Sequence, residues 1–115
     1  MATTVAFTMY PVTDLPRAVA FYRDALGLEP TEVASDFWTE FDVDGATFGI
    51  GTFEQVGTPG TAQSLALEVD MASARARIAE HGYESGEPHE LTNCRIAVVR
   101  DPDGNQIWLH ERKNP

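Results

Sequence analysis

The chain repeats one local plan about halfway along its length, and this repeat limits the possible folds more than any other feature. Residues 5–12 are rich in β-branched and aromatic side chains and are followed by an aspartate, apolar residues at helical spacing and a glycine. The alternating stretch 64–69 begins the same plan again. We therefore predict two copies of a strand and helix unit. The matching positions are Asp14 with Asp70, at a shift of 56 residues, and Gly27 with Gly82, at a shift of 55.

The rest of each half predicts further strands. In the first half Asp44-Gly45 is typical of a two-residue hairpin turn, and in the second half the turn is 101–105. Less defined strands are expected at Glu29–Val33 and near Tyr83–Pro88. We predict an α+β fold of two βαβββ modules in a single domain, with module one at 1–54, a linker at 55–61 and module two at 62–115. The flanking strands are Phe37–Val43, Ala46–Phe53, Cys94–Arg100 and Gln106–His110.

Length and apolar content agree with one compact domain. The chain has 115 residues, of which 43% are hydrophobic, enough for one core. The first residues lack a basic segment followed by an apolar stretch, and no run is long enough to span a bilayer. We expect a cytoplasmic protein without membrane contact. Cys94 is the only cysteine, so no internal disulfide forms, and a buried packing thiol is favoured over a nucleophile.

The charge balance excludes one class of partner. Eight basic against eighteen acidic residues give a formal net charge of −10, which repels the phosphates of nucleic acids. We therefore expect no nucleic-acid binding. The carboxylates are spread along the chain, which favours simple solubility, with attraction of a cationic ligand as the alternative.

Several short segments, in this order and at this spacing, resemble the glyoxalase, bleomycin-resistance and extradiol-dioxygenase superfamily, also called the vicinal oxygen chelate proteins. The resemblance covers nearly the whole chain. It implies paired modules whose curled mixed sheets surround a cleft, with the helices packed outside, and it implies a homodimer. The segments that carry it are Val12-Thr13-Asp14-Leu15, Ala20-Phe21-Tyr22, Leu26-Gly27-Leu28 and Asp101-Pro102-Asp103-Gly104-Asn105.

Strand parity predicts which side chains line this cleft, because successive residues of a strand point to opposite faces. The hairpin turn pairs Trp38 with Gly51 and Glu40 with Gly49. Phe7 and Trp108 either line a ligand pocket or fill the core, and Arg95 either forms an internal ion pair or holds a ligand carboxylate. The residues predicted to bind a ligand are Phe7, Met9, Trp38, Ser64, Arg95 and Trp108, and Ala97 and Val99 are placed beside Arg95.

The resemblance also implies a metal site whose His and Glu ligands come from the first and last strands of each module. Here those four places fall on Phe7, Gly49, Ser64 and Trp108. Phenylalanine, glycine and tryptophan side chains offer no donors for a divalent cation. We therefore expect neither a metal nor another cofactor. A relocated site is the alternative, formed by Glu40, Glu68 and His110.

Three functions follow from these residues. The first is a metal-independent binding protein that sequesters a small aromatic or cationic organic ligand in an aromatic cleft. The second is a metal-free enzyme in which Glu40, Glu68 or His110 acts as general base. A solvated cleft rim is the alternative role of Glu68 and His110, and for His110 it is the favoured one. The third is a lyase, isomerase or dioxygenase with displaced metal ligands.

Overall fold

The computed structural model of the chain describes residues 2–113. The two ends of the predicted domain, Met1 and Pro115, lie outside the described residues. Two four-stranded mixed sheets and two principal helices form an α+β structure that does not close into a barrel. The predicted fold class, two βαβββ modules, is confirmed.

Module one contains strands β1 to β4 in the order β1-β4-β3-β2, with β1 parallel to β4 and the other pairs antiparallel. Helix α1 begins after Asp14 and passes into a π-helical turn. A short 3₁₀ turn at Glu54–Val56 follows the sheet. The bounds are β1 Thr8–Pro11, α1 Leu15–Ala20 with the π-helical turn Phe21–Ala25, β2 Glu29–Ala34, β3 Trp38–Val43 and β4 Ala46–Gly51.

Module two repeats this arrangement in the order β5-β8-β7-β6, with β5 parallel to β8. The prediction of a strand near Tyr83–Pro88 is wrong. In this segment the chain forms only one bridge, between Ser85 and Val99, and a two-residue strand, β6, follows it. Pro88 has no backbone N–H to donate to a ladder. The bounds are β5 Leu65–Glu68, α2 Met71–Glu80, β6 His89–Glu90, β7 Cys94–Arg100 and β8 Gln106–Arg112.

Both helices start and stop as the repeat predicts. The Asp14 carboxylate accepts a hydrogen bond from Arg17 N at 3.0 Å, and Asp70 accepts one from Ser73 N at 3.1 Å. These bonds satisfy backbone donors that a helix start leaves free. The glycines that end the helices adopt left-handed conformations, with φ values of 75° at Gly27 and 87° at Gly82.

The helices and the sheets share one core. Arg77 Nε donates to Asp24 O at 2.7 Å, and the rings of Phe21 and Tyr83 meet at 4.8 Å, so the two helical layers also contact each other. Each sheet consequently has a helix face, which is buried, and an opposite face, here called the open face. No helix among residues 2–113 combines the length and the apolar character needed to cross a bilayer.

A buried polar cluster, here called the junction, joins the two modules. The Asp101 carboxylate accepts hydrogen bonds from Tyr22 Oη at 2.7 Å and from Asn105 Nδ2 at 2.8 Å. Asn105 Nδ2 also donates to Pro11 O at 2.7 Å, while its Oδ1 accepts from Gly60 N at 2.9 Å. Module one, the linker and the 101–105 turn are thereby fixed to one another within a single chain.

A second link between the modules is a tyrosine hydroxyl. Tyr10 of β1 donates to Gln106 O at 2.6 Å and accepts from Leu65 N at 2.7 Å. Its oxygen lies where β5 and β8 begin and completes their hydrogen bonding there. The start of the second sheet therefore depends on a side chain of the first.

Candidate functional site

The open face of module one carries a tryptophan lying across glycine backbone. The predicted hairpin register is confirmed, since Trp38 pairs with Gly51 and Glu40 pairs with Gly49. A Cβ atom on Gly49 would overlap the Trp38 ring, and one on Gly51 would lie 2.7 Å from it. These two glycines thus form the floor on which the indole rests.

Two phenylalanines flank this indole. Phe7 meets Trp38 edge-on with ring centroids 5.3 Å apart, and Phe53 meets it at 5.8 Å. We call Phe7, Trp38 and Phe53 the aromatic cluster. Phe7 remains 42% exposed and Phe53 41%, so the cluster can contact another molecule. Phe53 was missed as a site residue, although its parity in the predicted strand Ala46–Phe53 places it on the face of Gly49 and Gly51; the observed β4 ends two residues before it.

A carboxylate lies beside the aromatic cluster. Trp38 Nε1 donates to Glu40 Oε2 at 2.9 Å, and both side chains are half-buried. Met9, the next predicted ligand-binding residue, pairs with Gly49 across the sheet and is 43% exposed. The predicted grouping of Met9, Trp38 and Glu40 on one face therefore matches the observed strand pairing.

The open face of module two carries the second tryptophan. Trp108 pairs with Ala66 on one side and Val98 on the other, and it is 42% exposed. Ser64, just before β5, is exposed as well. Since neither Phe7 nor Trp108 is buried, core filling is not their role within this chain.

Glu68 and His110 form a hydrogen-bonded pair on the same face. Glu68 Oε1 lies 2.5 Å from His110 Nδ1, and Glu68 Oε2 accepts from Arg112 N at 2.8 Å. The Arg112 backbone N–H first, and the His110 side chain second, lower the pKa of Glu68 from its usual value. The pair holds the imidazole through one nitrogen and leaves Nε2 as its second polar atom.

The predicted placement of Arg95, Ala97 and Val99 in the cleft is wrong. Val98 pairs with Trp108, so Val98 and Ile96 are the β7 residues on the open face. Arg95 pairs with Glu111 on the helix face, with Nη1 2.5 Å from the Glu111 carboxylate, and its Nε contacts Glu90 at 3.1 Å. Of the two predicted roles of Arg95, the internal ion pair is the one observed, and its partners are Glu111 and Glu90.

These residues do not fit the divalent metal that the resemblance implies. Among the four inherited places only Ser64 has a side-chain oxygen, and the Trp38 ring covers the place of Gly49. Within residues 2–113 no three histidine, cysteine, aspartate or glutamate side chains are grouped so that they could hold a metal ion. The relocated site of Glu40, Glu68 and His110 is therefore not formed.

The model of the Glyoxalase/Bleomycin resistance protein/Dioxygenase superfamily matches residues 4–109. The chain belongs to this superfamily. No curated protein matches its sequence. Among solved structures, this superfamily member is similar to TnmS3, an antibiotic binding protein from Streptomyces sp. CB03234, with 26% identity, a TM-score of 0.85 and coverage of 97% of this chain and 98% of that one.

Two further structures are similar to this superfamily member. A glyoxalase/bleomycin resistance protein from Catenulispora acidiphila DSM 44928 is 28% identical, with a TM-score of 0.74 and coverage of 91% of this chain and 95% of that one. A lactoylglutathione lyase from Agrobacterium tumefaciens is 20% identical, with a TM-score of 0.77 and coverage of 96% and 94%, and this likeness concerns the fold alone.

Proposed function

We propose that this chain is a metal-independent small-molecule binding protein that holds an aromatic or cationic ligand against its open face. The observation that carries the proposal is the Trp38 indole lying over Gly49, where the resemblance places a metal-binding glutamate. An aromatic surface thus replaces a metal ligand. Planar rings stack well on such a surface, and the antibiotic-binding relative at 26% identity supports this choice.

We further propose that the binding protein is a homodimer. Two hollows of the described residues lie beside α2 and α1, not on the open face. The open face nevertheless exposes several large apolar side chains. A second copy over this face would bury part of them and supply the opposite wall of a cleft. They are Phe7, Met9, Phe53 and Trp108.

Binding of planar aromatic molecules should quench the fluorescence of Trp38 and Trp108. We expect saturable quenching with micromolar dissociation constants, because stacking on one or two indoles contributes about 1–3 kcal/mol beyond general burial. Titration of the wild type with a panel of polycyclic aromatic compounds, followed by calorimetry, measures this.

The matched control for this titration is Phe37→Ala, which removes an exposed aromatic ring outside the aromatic cluster. It should leave the affinity unchanged, whereas Phe7→Ala should weaken binding about tenfold. Chelator or added Ni²⁺, Zn²⁺, Mn²⁺ or Fe²⁺ should also leave it unchanged. Absence of saturable binding across the panel, or binding only with metal, would rule out the proposal.

The Glu68 and His110 pair favours a second candidate function, a metal-free enzyme that moves a proton to and from a carbonyl compound or epoxide. A carboxylate bound to one imidazole nitrogen fixes the orientation of the ring. The other nitrogen, Nε2, would then accept the proton of the substrate. One oxygen of Glu40 accepts a hydrogen bond from Trp38, which makes Glu40 a weaker candidate for this role.

For this second function, His110→Gln should reduce turnover by a factor of about 100 or more, which is the usual contribution of a general base. Glu68→Gln should cause a smaller loss, since the imidazole remains. The measurement is the rate of proton exchange or ring opening with a panel of small substrates. Equal rates in the wild type and both variants would exclude the enzyme.

A further inference from the structure

We propose that the ligand carries a positive charge next to its ring and that Glu40 binds this charge. This inference rests on the binding function proposed above and narrows its ligand class to cationic aromatic molecules. The features that carry it are the position of one carboxylate beside an indole and the absence of basic residues from the strands of its sheet.

Glu40 is held in place but is not saturated. The indole N–H of Trp38 donates to its Oε2, which fixes the carboxylate at the edge of the ring. Within residues 2–113 its other oxygen accepts no hydrogen bond and takes part in no ion pair. No described buried side-chain oxygen lacks a partner, so this free oxygen reaches the solvent and can meet a ligand.

The strands of the sheet that holds Glu40 contain carboxylates and no basic residues. Residues 25–74, which include the strands β2, β3 and β4, contain neither lysine nor arginine. Asp42 lies two residues further along β3 on the same face. The arginines with described ion pairs belong to α1, its π-helical turn, α2 and β7, where they contact other acids. The open face of module one therefore has a negative potential.

A cation is the ligand group that fits these neighbours. A carboxylate covered by an uncharged molecule loses water without gaining a partner, which costs free energy. An ammonium or ring-nitrogen cation instead pairs with the free oxygen of Glu40, while its positive charge is attracted by the face of Trp38. The same site thus favours a charged aromatic molecule and disfavours its uncharged isostere.

The test compares two probes of the same shape, the 1-methylquinolinium ion and uncharged 1-methylnaphthalene. We expect the wild type to bind the cation at least about tenfold more tightly, measured by tryptophan quenching at low ionic strength. In Glu40→Gln this preference should fall to about twofold or threefold, while the affinity for 1-methylnaphthalene stays the same or improves.

The control variant is Glu80→Gln, which makes the same charge change at the exposed end of α2. It should keep the full preference, which separates a local contact from the loss of net charge. Equal affinity of the wild type for both probes, or an undiminished preference for the cation in Glu40→Gln, would overturn this inference while leaving aromatic binding intact. Failure of both probes to bind would instead overturn the binding function itself, and this inference with it.

Discussion

The variant Asp101→Asn should unfold with a free energy about 2–4 kcal/mol lower than that of the wild type. Both oxygens of the Asp101 carboxylate are fully used, since Oδ1 accepts from the backbone N–H groups of Asp103 and Asn105 and Oδ2 accepts from Tyr22 and Asn105. An amide of the same shape has one accepting oxygen. Its NH₂ group would face two donors in a site that is 4% exposed.

This loss is large against the total of about 5–15 kcal/mol that holds a domain of this size together. Urea titration followed by circular dichroism measures it, with the slope of the transition checked for constancy. Asp44→Asn is the matched control, because Asp44 lies in the exposed hairpin turn with φ 51°, a conformation that asparagine adopts equally well. If Asp101→Asn were as stable as Asp44→Asn, the junction would not hold the modules together.

In the variant Gly49→Ala the Trp38 indole should no longer lie on the glycine backbone, and most ligand binding should be lost. Its new methyl group would occupy the space of the Trp38 ring, so the indole must swing away from the sheet and give up its hydrogen bond to Glu40. We expect the affinity for planar probes to fall about tenfold or more, and the unfolding free energy to fall by about 1–3 kcal/mol.

Two further variants test whether the effect of Gly49→Ala arises from its overlap with the Trp38 ring. In Gly86→Ala the new Cβ would meet Val98 O at 3.5 Å, an ordinary contact, so affinity and stability should change little. The Trp38→Ala change should lower the unfolding free energy less in the Gly49→Ala variant than in the wild type. In that variant it also removes the overlap between the new methyl group and the indole. Independent, additive effects of the two changes would mean that the indole does not rest on Gly49.

Local turn chemistry made the first module predictable. The Asp44-Gly45 turn has two residues and fixes the register of the hairpin, so the positions of Trp38 and Glu40 opposite Gly51 and Gly49 could be derived by counting. What could not be derived is that the Trp38 ring would turn onto those glycines. That choice depends on Phe7 and Phe53, which approach from two other segments of the chain.

In the second module, an error of one residue in the parity of β7 changed the predicted site. Placing Arg95 in the cleft required β7 to have the opposite parity from the observed one. The sequence held the information, since Trp108 was predicted to line the cleft and the 101–105 turn pairs Arg100 with Gln106. Val99 then lies opposite Ile107, and Val98 shares the face of Trp108. The Glu68 and His110 contact required the parallel register of β5 and β8, which joins segments distant in sequence.

The shared tyrosines have a consequence for how this chain folds. Tyr10 and Tyr22 come from the first repeat, yet their hydroxyls complete hydrogen bonds of Gln106, Leu65 and Asp101 in the second. Neither half alone could form these hydrogen bonds. The two repeats that the sequence shows are therefore not independent folding units. The molecule should fold and unfold in one cooperative step. The formation of contacts between segments distant in sequence should limit its folding rate.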